Sequence, residues 1–285
     1  MESFSIFDKS FDLHKTKHYV LALQLSNYDI SFCILDTVWK KYLALKHISF
    51  DRKMENEEIE IELNSLFKME SCLNKTYKKV SVMYITSRYT FVPDVFYQKE
   101  NMFAYYAFNQ NVVEREDILE NHIPKCESMV LYGLPSKTNE IINEQFANPI
   151  IFHQSCSLLN NLLQPLDATQ NDVLNLSVSV YRDSFDVVVY QGDKLKLYNT
   201  FSYKTENDFV YFIMFVLEKM KMNPRKTDVK ICGSIQNTSN RFKLLSKYIK
   251  SIQFIDTKEQ VLYSEKFVNI QPHFFSNLLN LYQCE

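Results

Sequence analysis

The sequence predicts a two-lobed α/β protein whose lobes repeat one plan, each with a mixed sheet that opens on a three-stranded antiparallel meander. The first observation is that Val20–Asp36 has the pattern of two strands around a tight turn, and that a similar stretch recurs at Val173–Val189. With a constant shift of 153 residues, seven of the 17 aligned positions are identical. The second is that strands and helices follow in the same order afterwards, which indicates an internal duplication.

The elements after each hairpin support this reading. Alternating apolar and polar residues predict a third strand in each copy, and acidic residues mark the start of the helix that follows, where the helix dipole favours them. Apolar runs then predict central strands. The predicted elements are strands Lys40–Phe50 and Lys194–Tyr203, helices Glu55–Leu73 and Glu206–Met222, strands Lys78–Thr86 and Asp228–Ser234, then helix Asn240–Lys250 and strand Ser251–Asp256.

The first copy is the longer one, and the extra residues are assigned to an inserted or rearranged segment, about 88–148. Within it we expect a short strand and a helix entered at Pro93, because proline is tolerated in the first helical turn. A strand, helix, strand and helix follow, with one helix start at Pro135 and Ser136. The predicted lobes are residues 1–165 and 166–285.

Composition excludes several classes of protein. The 285 residues carry a formal net charge of -2 with both signs interspersed, so we expect no nucleic-acid partner. The most apolar window, Phe209–Met220, is too short to span a membrane, and the N-terminal residues lack a targeting pattern, so we expect a cytoplasmic protein without a membrane span. Only three glycines occur, with no GxGxxG and no P-loop, which argues against those two nucleotide sites.

Cysteine and histidine do not predict a metal site. The six cysteines are widely spaced without a CxxC pair, which is typical of buried free thiols in a reducing compartment. The stretch His14–His18 lacks the glutamate of HExxH and precedes a strand. His153, three residues before Cys156, is expected to pack in the core.

The duplicated order of meander, helix, strand, helix and strand resembles the actin-like ATPase superfamily, with its ribonuclease H-like fold. That superfamily includes sugar kinases, heat-shock seventy chaperones and bacterial assembly proteins of division and type IV pili. Within it, "TFVPDVFY" at Thr90–Tyr97 and the compact size are similar to an uncharacterised bacterial family assigned to a domain of unknown function. The resemblance covers nearly the whole chain and implies two lobes.

The resemblance also implies a nucleotide site and shows where this chain departs from it. In the superfamily each hairpin has an aspartate that holds the metal and a glycine that lets backbone N–H groups reach the phosphates. Gln24 and Ser26 occupy those places in the first copy, Ser177 and Ser179 in the second, and Gly233 with Ser234 stands where an adenosine loop has two glycines. The candidate nucleotide-site residues are Gln24, Ser26, Asn27, Ser177, Ser179, Gly233 and Ser234.

Nearby carboxylates could replace the missing ones, but turn aspartates ordinarily bond to local backbone. The candidates are Asp29, Asp36, Asp183 and Asp186. Two hypotheses therefore stay open. One is a catalytically inactive scaffold or assembly protein that needs no cofactor and binds an unidentified protein partner or itself. The other is a weak Mg-ATP-binding protein or ATPase with non-standard phosphate-loop residues.

Aromatic residues suggest where a partner would bind. The segment after the fourth strand has more rings than one helix face can bury, and exposed aromatics mark interaction surfaces. The candidate surface residues are Phe91, Val95, Phe96, Phe103, Tyr105 and Tyr106.

Overall fold

The computed structural model describes residues 3–163, 173–255, 262–263, 267 and 270–284. The chain divides into two compact units. The first comprises Met1–Ser157, Lys258–Asn269 and Asn277–Glu285, and the second comprises Leu158–Thr257 and Ile270–Ser276. The boundary predicted between residues 165 and 166 lies outside the described residues, so the predicted lobe limits stay a prediction.

Both units contain strands and helices. The strands are β1 (Phe4–Phe7), β2 (Tyr19–Leu25), β3 (Asp29–Asp36), β4 (Lys41–Ser49), β5 (Lys79–Tyr84), β6 (Tyr89–Pro93), β7 (Glu116–Ile123), β8 (Ser128–Pro135), β9 (Ile150–His153), β10 (Leu174–Val180), β11 (Ser184–Gln191), β12 (Lys194–Ser202), β13 (Asp228–Gly233), β14 (Ser251–Phe254) and β15 (Leu262–Tyr263). The α-helices are α1 (Asn56–Met69), α2 (Met102–Asn109), α3 (Ser136–Gln145), α4 (Gln154–Leu162), α5 (Glu206–Lys219), α6 (Asn240–Leu245) and α7 (Ser276–Asn280).

A mixed sheet of seven strands forms the base of the first unit. Its strands pair in the order β1-β4-β3-β2-β5-β9, with β15 also on β4. As predicted, β2, β3 and β4 form an antiparallel meander, while β5 and β9 run parallel to β2. Leu21, Ala22 and Leu23 are all buried, so β2 is covered on both faces.

Helix α1 covers part of this sheet. Glu55 and Glu58 form a capping box at its start, which satisfies backbone N–H groups that a helix leaves free. Its buried residues Ile59, Leu63 and Leu66 follow the three-and-four spacing of one helix face. The helix ends at Met69, earlier than the predicted Leu73, because Glu70 adopts an extended conformation and a separate 3-10 turn follows.

The segment 88–148 forms a small sheet of its own, which pairs in the order β6-β8-β7. The prediction of a helix entered at Pro93 is wrong. Pro93 is the last residue of β6, with extended backbone, and two 3-10 turns follow at Asp94–Phe96 and Lys99–Asn101. The α-helix begins at Met102, and β7 was not predicted. The helix start at Ser136 is confirmed.

A five-stranded sheet forms the base of the second unit, in the order β12-β11-β10-β13-β14. It repeats the order β4-β3-β2-β5-β9 of the first unit, with an antiparallel meander followed by two parallel strands. Phe209, Ile213 and Leu217 of α5 are buried in its core. Helix α6 ends at Leu245, before the predicted Lys250.

The register of the two hairpins corrects the sequence alignment by two residues. Both first strands have seven residues and both second strands eight, and they superimpose with a shift of 155 rather than 153. The irregularity between Ile34 and Leu35 recurs between Val189 and Tyr190, at the same shift. None of the seven identities found by sequence therefore joins equivalent positions.

Candidate functional site

Ser26 closes the turn between β2 and β3 in the first unit. Its Oγ accepts hydrogen bonds from the backbone N–H of Tyr28 at 3.1 Å and of Asp29 at 3.0 Å. Its own N–H donates to the carbonyl of Asp29 at 3.0 Å. The serine hydroxyl thus occupies two backbone N–H groups of this turn, as is usual for a serine in a tight turn.

Gln24 and Asn27 complete the same turn. The Gln24 amide donates from Nε2 to Oδ1 of Asp29 at 3.0 Å. Asn27 donates from Nδ2 to the carbonyl of Met54 at 2.8 Å, and the Met54 N–H donates back to the Asn27 carbonyl. The three predicted residues of the first copy therefore lie together, with Gln24 and Ser26 bonded within the turn and Asn27 bonded to Met54.

This donor set does not suit Mg²⁺, which prefers carboxylate oxygen and water. Gln24 presents an amide at the place where the resemblance implies a carboxylate, and Asp29 already accepts from it. Among the residues that the structure describes, no group of three histidine, cysteine or acidic side chains is arranged to hold a metal ion.

In the second unit, the hairpin holds a buried cluster of hydroxyl groups around Asp186. The Ser179 hydroxyl donates to Oη of Tyr181 at 3.3 Å, and Tyr181 donates to Oδ2 of Asp186 at 2.8 Å. Thr200 donates to Oδ1 of Asp186 at 2.6 Å. Burial and the Asp186 charge hold the pKa of Tyr181 well above its usual value, so the phenol stays a donor.

The corrected register changes which residues of the two copies correspond. With a shift of 155, Ser179 matches Gln24 and Tyr181 matches Ser26, while Ser177 matches Ala22 within the strand. Ser177 is fully buried, and its hydroxyl has no hydrogen-bond partner among the described residues. The alignment that paired Ser177 with Gln24 is therefore corrected, because equal side-chain alternation hides a two-residue slip.

Gly233 is the last residue of β13, and a residue with a Cβ atom at this position would collide with β10. Its φ is +85°, and a Cβ atom placed there would lie 2.2 Å from the carbonyl oxygen of Val180. The next residue, Ser234, donates its N–H to that carbonyl at 2.7 Å. Close approach of two backbones accounts for this glycine without a ligand.

The remaining carboxylates behave as turn residues or interior residues. Asp36 accepts from the N–H of Val38 at 2.8 Å and of Trp39 at 3.2 Å, as expected for a turn aspartate. Asp186 differs, because its bonds come from side chains on other positions. Sequence reasoning named Asp186 but missed Thr200, whose cross-strand position opposite Asp186 could have been found only from the register.

Residues 8–252 match a family described as "Protein of unknown function (DUF3822)". The chain belongs to this family. No curated protein matches the chain. Among solved structures, a Bacteroides thetaiotaomicron protein with actin-like ATPase fold and unknown function has a TM-score of 0.81 at 20% identity, covering 96% of this chain and 99% of that chain.

Two other solved structures share the fold at lower similarity. The PilM-PilN type IV pilus biogenesis complex gives a TM-score of 0.60 at 11% identity over 93% of this chain and 97% of that one. The ethanolamine utilization protein EutJ from Carboxydothermus hydrogenoformans gives 0.50 at 7% identity over 94% and 90%. This member of the family thus has an actin-like ATPase fold. The structural similarity to the three solved structures extends over nearly the whole chain.

Three predicted surface residues of this family member are exposed. Val95, Phe96 and Phe103 have exposed fractions of 84%, 69% and 60%. Phe108, which sequence reasoning did not name, is 87% exposed. These four side chains lie on α2 or in the segment before it. Exposed apolar side chains that form a contiguous patch mark binding surfaces.

The other three candidates are less accessible. Tyr106 is fully buried, and its hydroxyl donates to Oε2 of Glu116 at 3.1 Å, so its assignment to an exposed surface is wrong. Phe91 and Tyr105 are half-buried. Tyr105 donates to the Phe96 carbonyl at 2.7 Å. Helix periodicity decides this, because one face of α2 packs on the small sheet.

The cysteine prediction is confirmed for free thiols. All six are unpaired, and five are buried while Cys126 is half-buried. Burial raises the pKa of Cys72 and of Cys232 to about 12, so these thiols are not nucleophiles at neutral pH. Across the described ranges, no helix is both long and apolar enough to cross a membrane.

Proposed function

We propose that this protein is a non-hydrolysing member of the actin-like fold that acts in the cytoplasm as a scaffold or assembly protein, through a protein partner. The observation that carries the proposal is the turn at Ser26. Its hydroxyl occupies the N–H groups of Tyr28 and Asp29, which a phosphate would need. A phosphate would have to displace both bonds and would meet the Asp29 carboxylate.

The second hairpin supports the same conclusion. Its position equivalent to Ser26 is Tyr181, a bulky side chain engaged with the buried Asp186. A phosphate turn needs small residues for close backbone approach. Gly233 supplies no contrary argument, since contact with Val180 accounts for it.

Binding of a partner is supported by the exposed apolar residues Val95, Phe96, Phe103 and Phe108. One structure with this fold is that of a complex, PilM-PilN, in type IV pilus biogenesis. At 11% sequence identity, the similarity to that structure shows a shared fold alone. It supports the proposal to the extent that a protein of this fold assembles with another protein.

The test is thermal unfolding of the full chain with and without 5 mM Mg-ATP, with magnesium tripolyphosphate as the ionic control. We expect the same midpoint in all three conditions and no phosphate release. A ligand at about 100 times its dissociation constant adds roughly 2.7 kcal/mol, which would raise the midpoint by about five degrees. Such a rise with Mg-ATP alone would support the Mg-ATP-binding alternative and overturn the non-hydrolysing role if phosphate is released.

A variant provides the matched comparison for that test. Gln24→Asp combined with Ser26→Gly restores the carboxylate and the glycine that the resemblance implies, and it frees the two N–H groups. We expect a midpoint shift with Mg-ATP to be larger in this variant than in the parent chain. The reverse order would contradict the argument from the turn.

A further inference from the structure

A groove runs beside the outer strand of the small sheet in the first unit. It has a volume of about 510 Å³, within the range of ligand sites. Lys99 and Met102, Asn139 and Asn143 of α3, and the start of β9 all contribute to its lining. Met102 packs in one cluster with Ile118, and Asn139 bonds to Asp117. Strand β7 contributes Ile118, Leu119, Glu120 and Asn121 to the lining.

The backbone of β7 offers unused hydrogen-bonding groups to this groove. Within the described residues, β7 pairs only with β8 and is the edge of its sheet. Ser136 N–H donates to the Arg115 carbonyl, so the backbone N–H and C=O groups of the odd-numbered residues of β7 point towards β8. Gly133, opposite Ile118, donates instead to Arg88 on the β6 side. The N–H and C=O groups of Ile118 and Glu120 therefore point to the open edge.

The edge lacks two of the features by which proteins usually protect a free strand, a proline and a bulge. No proline and no bulge interrupts β7, and its register with β8 is regular over all eight residues. Neighbouring β9 is covered on its outer side, because the Asn121 amide donates to Ile151 O at 2.9 Å and accepts from His153 N–H at 2.8 Å. An uncovered regular edge is a template for another strand.

Charge restricts what would bind there. Residues 90–123 carry six acidic side chains and two basic ones. Lys99 and Glu120, the charged residues of the groove lining, form an ion pair at 3.0 Å, and Arg88 pairs with Glu116. The stretch keeps four acidic side chains and Arg115 outside these pairs. The exposed apolar residues Val95, Phe96 and Phe103 belong to the same stretch. Complementarity favours a basic segment with apolar residues between its cations.

We propose that this groove binds an extended basic segment of a partner protein, which adds as a fourth strand beside β7 through backbone hydrogen bonds to Ile118 and Glu120. The inference rests on the proposed function, since it names the class of partner. Successive side chains of the added strand face opposite walls of the groove. One row meets Asn139 and Asn143, and the other meets Met102.

The probe is a fluorescent nine-residue peptide of alternating lysine and valine, titrated against the full chain by fluorescence polarisation. A glutamate–valine peptide tests charge. A lysine–valine peptide with alternate methylated backbone nitrogens tests strand pairing, because methylation removes the N–H donors. We expect the first peptide to bind at least tenfold more tightly than either of the others, and amide exchange at Ile118 and Glu120 to slow on binding.

Two variants on α3 locate the site. Asn143 lines the groove and Glu144 does not, although both are exposed on the same helix. Asn143→Trp fills the groove and should weaken peptide binding at least tenfold. Glu144→Trp adds the same ring beside it and should leave binding within twofold. Equal melting curves for the two variants exclude misfolding as the cause.

Several results would overturn the proposal. The proposal fails if the lysine–valine peptide shows no saturable binding, if the methylated peptide binds equally well, or if the two tryptophan variants have equal effects. Self-association that Asn143→Trp abolishes would show that a second copy of the chain occupies the groove, and would overturn the partner segment. If Mg-ATP stabilises the protein and phosphate is released while the peptide still binds, the non-hydrolysing role fails and the groove stands. If neither acts, only the groove fails.

Discussion

The hydroxyl of Thr200 donates a 2.6 Å hydrogen bond to Oδ1 of Asp186, across two neighbouring strands of the second unit. The same cross-strand position in the first unit holds Ser31 and His47, whose Oγ and Nδ1 lie 2.8 Å apart. Each copy thus keeps a hydrogen-bonded polar pair at one place in its meander, with Ser31 and His47 buried in the first and Asp186 in the second. The residue types differ, and the position is what the two copies share.

Removal of the Asp186 carboxylate should destabilise the second unit. In Asp186→Ala, the hydroxyls of Tyr181 and Thr200, both half-buried residues, each lose this acceptor, and an unsatisfied buried group costs about 1–3 kcal/mol. We expect the free energy of unfolding in urea to fall by about 3 kcal/mol. Asp193→Ala, in an exposed turn, is the control, and an equal loss there would contradict the role of the cluster.

Gly233→Ala should also destabilise the second unit. The added methyl would lie 2.2 Å from the Val180 carbonyl, at a φ of +85° that residues with a Cβ rarely adopt. We expect a loss of about 2 kcal/mol or more by urea unfolding. Ser234→Ala keeps the backbone N–H bond to Val180 and should change stability by less than about 0.5 kcal/mol. Equal stability of the two variants would refute the packing explanation.

Tyr106 and Phe103 should respond oppositely to truncation. Tyr106 is fully buried and bonded to Glu116, so Tyr106→Ala should cost about 3–5 kcal/mol of unfolding free energy. Phe103 is 60% exposed, so Phe103→Ala should cost less than about 0.5 kcal/mol. Chemical denaturation of both variants measures this, and similar losses would contradict the division of α2 into a packed face and an exposed face.

His153 should make stability fall as the pH falls. Its Nε2 is 3.1 Å from the Thr86 carbonyl, which only accepts, so Nε2 carries the proton and Nδ1 accepts from Ser155. Burial lowers the pKa of His153 from 6.5 to about 3. The unfolded chain therefore binds a proton below pH 6.5 that the folded chain refuses until about pH 3, and stability is lost between those values.

Urea unfolding at pH 7.5 and pH 5.0 checks this linkage. For His153→Gln, the loss of stability on going to pH 5.0 should be smaller than in the parent chain by about 2 kcal/mol. His47 and His273, whose pKa values burial also lowers, remain in the variant and account for part of the residual slope. Asn143→Gln changes no titratable group and should keep the parent slope. An unchanged slope in His153→Gln would contradict burial of a neutral imidazole.

The sequence by itself determined the order of strands and helices outside the segment 88–148. Alternation of apolar residues in Val20–Asp36 and its later counterpart identified both meanders, because successive side chains of a strand point to opposite faces. The same alternation concealed the register. A slip of two residues keeps every side chain on its face, so the shift of 153 fitted the pattern as well as the true 155.

Only the tertiary structure decided the features that depend on distant partners. Strand β7, Glu116–Ile123, has half-buried residues on both faces and no clear alternation, and its pairing with β8 defines it. Tyr106 is buried because the small sheet and Glu116 lie against it. The occupied turn at Ser26 likewise depends on side-chain direction. All three features depend on contacts or side-chain directions that the local periodicity of the sequence does not encode.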